Sequence, residues 1–135
     1  MPVFPSDEWV QELKGKVNQS LAYAEAAKTW EGDFYFVVEP DAGTTEPVVL
    51  YMDLWHGQCR DAFAVQDPAA RKPAYRIAGP LAVWKRVVMG ELEPIPALLT
   101  RQLRLNGNMV QIMKSIRAAQ ELIHCCVQVP TEFSA

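Results

Sequence analysis

Apolar residues recur at steps of three and four from Trp9 through Val10, Leu13, Val17 and Leu21 to Ala24, while Gln11, Glu12, Lys14, Lys16 and Gln19 take the other side. That period puts one apolar stripe on a helix. Ser6 is a good N-cap, and Asp7 and Glu8 place negative charge in the first turn, where the helix dipole favours it, so a helix is predicted from Asp7 to about Lys28. Gly15 weakens it by about 1 kcal/mol relative to alanine, a loss that packing must outweigh. The pattern then changes. DFYFVVEP (33–40), PVVLYMDLW (47–55) and QCRDAFAVQ (58–66) are rich in β-branched and aromatic residues and bounded by turn residues, as strands are. DAGTTE (41–46) links the first two. His56-Gly57-Gln58 links the next two as a tight hairpin, with Gly57 supplying the permissive backbone. The three read as an antiparallel meander. PAYRIAG (73–79) reads as a fourth, short strand whose pairing partner is left open.

Helical spacing returns at Leu81, Trp84, Val87 and Val88, with Lys85 and Arg86 opposite and Gly90 as the stop. Pro94 and Pro96 can start a helix but cannot sit deep inside one, and Ile95, Leu98 and Leu99 give that short helix its apolar side. Residues 102–106 alternate like a half-buried strand closed by Gly107. Asn108 can cap a last long helix, on which Met109, Ile112, Met113, Ile116, Ala119 and Ile123 form one stripe. Lys114, Arg117 and Glu121 lie away from that stripe, and Pro130 ends any regular continuation. The order predicts an α+β fold, with helices gathered mainly on one face of a mostly antiparallel sheet. We expect a single domain over residues 1–135, with 1–5 and 125–135 as loosely ordered tails.

The first two strands are apolar or aromatic on both faces. Phe34, Phe36 and Val38 oppose Tyr35 and Val37, and Val48, Leu50, Met52 and Leu54 oppose Val49, Tyr51, Asp53 and Trp55. A sheet covered on one side alternates with polar residues instead. A second cover is therefore expected, from a ligand or a partner subunit, with a homodimer favoured. The alternatives are that the first helix crosses that face or that scattered aromatics are simply exposed.

Composition narrows the chemistry. The net charge of −3 argues against a general nucleic-acid binder, which needs a basic field over phosphates. No apolar run approaches the roughly 20 residues that span a bilayer. The opening MPVFPSDEW does not read as a signal peptide. Three cysteines, two of them adjacent, do not make a disulfide framework, so a cytoplasmic setting is expected. His56, Cys59 and Asp61 cluster near the hairpin, and His124-Cys125-Cys126 near the end, but neither group has structural-zinc spacing, and no metal is expected. A Cys59–His56 nucleophile pair lacks a third orienting group. Asp53, Asp61, Glu91 and Glu93 could be proposed as paired carboxylates, but Glu91 and Glu93 belong to an exposed turn and read as solvated, and no glycine-rich phosphate loop is present. No catalytic role is expected.

From Leu81 to Ile123 a family pattern emerges. The helix around Trp84 is followed by Gly90-Glu91-Leu92-Glu93-Pro94, then Ala97-Leu98-Leu99, then Leu103-Arg104-Leu105-Asn106-Gly107 and the last helix. This succession resembles the sterol carrier protein 2 (SCP2-like) family, and the helix and meander before it fit the same plan. The resemblance implies a five-stranded sheet covered by helices, with an apolar tunnel between the layers for an acyl chain or sterol. It implies non-catalytic binding and carriage of a long apolar ligand, without a cofactor. The partners it implies are a fatty acid or other lipid, and a transient membrane contact. Some relatives serve instead as accessory subunits that present an apolar substrate, such as a quinone precursor, to partner enzymes. The candidate tunnel wall is Leu50, Trp84, Val88, Leu98, Leu99, Leu103, Leu105, Met109, Ile112, Met113 and Ile116. By spacing alone the methionine-bearing stripe reads as ordinary core, and only the resemblance makes it equally a tunnel wall. The Pro94-to-Thr100 helix is the expected movable lid.

Overall fold

Ser6 starts helix α1 (Asp7–Gln19), its hydroxyl accepting the Trp9 N–H at 3.1 Å. The helix does not run on to Lys28. Ser20 takes an extended backbone, and its hydroxyl accepts the Tyr23 N–H at 3.0 Å, capping a second helix, α2 (Leu21–Ala26). Serine is among the best N-caps, so the chain trades continuity for a new start. The break shifts the buried stripe: Leu21 is 87% exposed, while Tyr23 and Ala27 are buried. The computed structural model describes residues 1–41 and 46–133 of the chain.

The sheet has five strands in the order β4-β3-β2-β5-β6 and is mostly antiparallel. β2 (Glu31–Glu39), β3 (Val48–Trp55) and β4 (Gln58–Val65) form the meander. The link predicted at 41–46 falls mainly on residues 42–45, which lie outside the described residues. At the other turn, His56 (φ 48) and Gly57 (φ 81) make a two-residue hairpin with positive φ at both positions. A Cβ on Gly57 would stand 2.6 Å from the Ala24 carbonyl oxygen, so the hairpin tip sits directly on α2. The strand of open pairing, β5 (Tyr75–Pro80), runs parallel to β2, and β6 (Arg104–Asn106) adds antiparallel to β5.

Helix α1 guards the open edge of the sheet. Its residues Asp7, Gln11 and Asn18, spaced to share one helix face, bond the unpaired backbone of edge strand β4. Asp7 Oδ1 accepts the Ala64 N–H at 2.9 Å, and the Gln11 amide donates to the Ala62 carbonyl. Asn18 makes two bonds to Cys59, donating to its carbonyl at 2.9 Å and accepting its N–H at 2.7 Å. A bare edge strand invites pairing with other chains, and these side chains satisfy it.

The second face of the sheet is covered by the chain itself. Residues 66–74, including the 3-10 turn Pro68–Ala70, fold over Tyr35, Val49 and Tyr51, which are all buried. The Tyr35 hydroxyl donates to the Pro68 carbonyl at 3.1 Å. Asp33 accepts both the Tyr51 hydroxyl at 2.9 Å and the Ala74 N–H at 2.7 Å. The Arg71 guanidinium lies over the rings of Tyr51 and Phe63, at 4.8 and 5.0 Å, and Arg76 lies over Tyr35 at 5.3 Å. The expected cover by a ligand, a partner subunit or the first helix is replaced by this crossover loop.

The inner face carries α3 (Leu81–Val88), α4 (Pro94–Leu99), α5 (Met109–Met113) and α6 (Ile116–Gln128). Gly90 (φ 79) ends α3, as predicted, and the N–H of Glu91 returns to the Arg86 carbonyl at 2.8 Å. The last helix is not continuous. The Ser115 N–H closes on the Ile112 carbonyl at 3.0 Å, and a turn at Lys114–Ser115 resets the phase. The buried residues of α6 are Ala118, Cys125 and Cys126, whereas Met113 and Ile116 face solvent. The supposed tails are also packed as far as Phe133. β1 (Val3–Phe4) pairs in parallel with β7 (Glu132–Phe133). Phe4 meets the Trp9 ring edge-on at 4.7 Å, and the Trp9 indole N–H donates to Thr131 Oγ1 at 2.9 Å. Burial of Phe4, Cys125, Cys126 and Val129 outweighs the entropy of loose ends.

Asn18→Ala leaves two backbone groups of Cys59 without partners. It should lower unfolding free energy by about 2 kcal/mol in a guanidinium titration. An unchanged midpoint would show that water replaces the asparagine at no cost.

Candidate functional site

Two apolar hollows lie between the sheet and the helices. The larger, about 90 Å³, has Phe34, Phe36, Leu54 and Ile77 of the sheet as its floor. Tyr23 and Trp30 wall one end. Trp84, Val87, Pro94, Ile95, Leu98, Ile112, Ser115, Ala118, Ala119, Leu122 and Ile123 form the roof, with Leu103 beside them. The smaller, about 50 Å³, lies toward the termini among Phe4, Trp9, Val10, Leu13, Val38, Leu50, Met52, Val88 and Cys126. Even together they are smaller than the ~150 Å³ cavity that accepts benzene. A long ligand therefore requires the layers to part.

Stacked rings build the floor. Trp30 stacks on Phe34 at 5.7 Å, Phe34 on Phe36 at 5.1 Å and Phe34 on Tyr75 at 5.0 Å. The two tryptophans bring polar N–H groups into this wall, and both are satisfied: Trp30 donates to the Gly32 carbonyl at 3.0 Å, and Trp84 to the Val37 carbonyl at 2.9 Å. Among the described residues no charged or polar residue is buried, so the hollows offer a ligand apolar surface and little else.

Of the wall residues expected from sequence, Trp84, Leu98, Leu103 and Ile112 line the larger hollow, and Leu50, Trp84 and Val88 line the smaller. Leu105 and Met109 are half-buried against the core and border neither. Leu99, Met113 and Ile116 are 61%, 37% and 39% exposed. Met113 ends α5, which buries Ile112 instead, and Ile116 turns outward because the helix breaks at Lys114–Ser115. Leu99 turns outward because α4 buries Ile95, Ala97 and Leu98 instead. The sheet side of the wall, Phe34, Phe36, Leu54 and Ile77, is legible in the strand alternation, but alternation does not assign it to a site. Tyr23 is hidden from the helical period by the break at Ser20.

The reactive-looking residues are dispersed. A bulge at Asp53/Leu54 turns Cys59 into the core and leaves Arg60 outside, where it pairs with Asp53 at 3.0 Å. His56 stays at the surface, with Nε2 2.6 Å from a Glu31 oxygen and its ring stacked on Trp55 at 5.4 Å. His124 is exposed beside Glu121, while Cys125 and Cys126 are buried. Glu91 and Glu93 are exposed. Among the described residues, no group of three or more His, Cys, Asp or Glu could hold a metal ion. No described helix is long and apolar enough to cross a membrane. Burial pushes the thiols up: Cys59 from 9.0 to about 12, with Cys125 and Cys126 raised for the same reason. Burial likewise raises the Tyr23 phenol, with the neighbouring Cys59 and Cys125 adding to it.

A thiol that holds its proton to about 12 in the fold but only to 9.0 when unfolded contributes stability below pH 9 that is lost as pH climbs toward 12. Melting temperature should fall across that window, and less steeply in Cys59→Ala. Equal slopes would remove Cys59 as a cause. At pH 8 none of the three cysteines should react with Ellman's reagent until denaturant is added.

The sequence matches the SCP-2 sterol transfer family over residues 10–120. The fold is similar to the crystal structure of sterol carrier protein 2, at TM-score 0.82 and 38% identity, covering 92% of this chain and 97% of that one. It is similar to a conserved hypothetical protein of Thermus thermophilus, named as a candidate sterol carrier protein, at TM-score 0.83 and 37% identity, covering 93% and 88%. Sterol carrier protein 2 of Yarrowia lipolytica, in its apo form, shares the fold at TM-score 0.60 and 14% identity, over 87% of this chain and 88% of that one. No curated protein matches the sequence significantly.

Proposed function

The chain belongs to the SCP-2 sterol transfer family, and from that premise we propose that it binds and carries a long apolar molecule between its sheet and its helices. The carrying observation is the larger hollow, walled by aromatic and aliphatic side chains with its indole N–H groups already satisfied. The role is non-catalytic: extraction, sequestration and release of a fatty acyl chain or similar lipid. A sixteen-carbon chain gains on the order of 10 kcal/mol gross from burial, and lost motion takes back several. Micromolar affinity follows, which suits a carrier that must also deliver.

Helix α4 is the lid in this reading. It is short, it begins at Pro94, and its N-cap Glu93 makes no side-chain cap bond. Its inner residues Ile95 and Leu98 roof the larger hollow, so a small outward movement enlarges it. Contact with a bilayer during exchange falls to the exposed apolar residues Leu99, Val110, Met113 and Ile116 of the same roof. Arg101, Lys114 and Arg117 stand near them in the chain, and among the described residues none of the three forms an ion pair.

Mass spectrometry of lipids retained by the purified protein should find single-chain lipids at near-stoichiometric level. Palmitate should raise hydrogen-exchange protection over residues 94–100. Ala118→Phe, which fills the larger hollow, should cut palmitate affinity at least tenfold, and undiminished binding would place the ligand elsewhere. Anionic vesicles should retain the protein more than zwitterionic ones, and Lys114→Glu with Arg117→Glu should abolish the difference.

A further inference from the structure

The two hollows share a wall. Phe36, Trp84, Val87, Leu122 and Ile123 border both, so the larger space and the smaller meet across these five residues. These five are not equally fixed. The Trp84 indole is tied to the Val37 carbonyl at 2.9 Å. Val87 is β-branched within α3, where one rotamer dominates. Leu122 and Ile123 belong to the body of α6. Phe36 has no hydrogen bond to hold its ring. It is kept in place by the stack on Phe34 at 5.1 Å and the edge contact with Trp84 at 5.8 Å and 83°. It projects from β2, the middle strand of the sheet, whose backbone is paired on both sides.

We propose that Phe36 is a chain-length gate, the two hollows being successive compartments of one ligand channel that its ring divides. This inference rests on the carriage reading above. The larger compartment is the outer one: half-buried Ser115 lines it, next to exposed Lys114. The smaller ends among the buried Phe4, Trp9 and Cys126 and is the inner one. A short chain is housed in the outer compartment once α4 lifts to enlarge it. A long chain turns the Phe36 ring aside and extends its tail toward Leu50 and Val88. The opening so made is one side chain wide, which suits an unbranched methylene chain. Phe36 thus determines which chain lengths the protein retains.

The test is calorimetric titration with octanoate and palmitate of the wild type, Phe36→Ala, the milder Phe36→Leu and Val88→Phe, each checked for folding by circular dichroism. Phe36→Ala joins the compartments and should raise the palmitate-to-octanoate affinity ratio about tenfold, with Phe36→Leu intermediate. Val88→Phe fills the inner compartment and should lower that ratio by a similar factor. In the double variant it should cancel the gain from Phe36→Ala. An unchanged ratio in folded Phe36 variants that still bind both acids overturns the gate alone. Should Phe36→Ala fail to fold, Phe36→Leu and Val88→Phe decide the question. Binding of neither acid by any of the proteins removes the carriage reading, and the gate falls with it.

Discussion

The parallel pairing of β5 with β2, Phe34 opposite Tyr75 through Glu39 opposite Pro80, is the contact that organises both faces of the molecule. Parallel neighbours cannot be joined by a tight turn. The chain leaving edge strand β4 must therefore cross the sheet to reach the far side of β2. In crossing, residues 66–74 cover the outer face, where Arg71 and Arg76 lie on the rings of Tyr51, Phe63 and Tyr35. The same pairing delivers the end of β5 to the start of α3 on the inner face. There Trp84 reaches back to the Val37 carbonyl and pins the helical layer to the middle strand. One pairing thus closes one face and sets the geometry of the other.

The inner face is where packing is incomplete. Protein interiors ordinarily fill to crystal-like density. Here the rings of Trp30, Phe34, Phe36 and Tyr75 are stacked along the sheet, and the short helices α4 and α5 above them bury only part of their apolar surface. Flat stacked rings make a firm floor that short helices cannot interdigitate with fully. The result is apolar space with a rigid side and an adjustable side. A carrier needs that combination: enough burial to hold a chain out of water, and a roof loose enough to let it go.

Elements with long, regular alternation were legible in the sequence. The strand period and the glycine-bearing turn at His56-Gly57 place the meander, because two faces of apolar residues and a tight turn leave one way to pair. The helices were legible in their starts and not in their continuity. Ser20 and Ser115 each interrupt a run whose three-and-four spacing continues across them. In α1–α2 the competing local structure is a serine cap; in α5–α6 it is a tightened turn. Each break rotated the stripe that followed, exposing Leu21 and Ile116 and burying Tyr23 and Ala118. The site was therefore half legible: the roof residues Trp84, Leu98, Leu103 and Ile112 came from the pattern, while Tyr23 and the sheet floor did not.

Residue order was enough to establish the class of fold, the meander and the order of the helical and extended runs around it, the family and the exclusion of charged residues from the apolar stripes. These are local or compositional properties, carried by period, caps and turn residues within a few positions of one another. Folding in three dimensions was needed to establish that the outer face is covered by the chain's own loop, that α1 bonds the edge of β4 through Asp7, Gln11 and Asn18, and that the termini pair as β1 and β7. It was needed also to divide the space between the layers into two hollows sharing the Phe36 wall. Those outcomes are set by contacts between residues far apart in the chain, and no period along the sequence encodes the gap left when rings from one layer meet helices from the other.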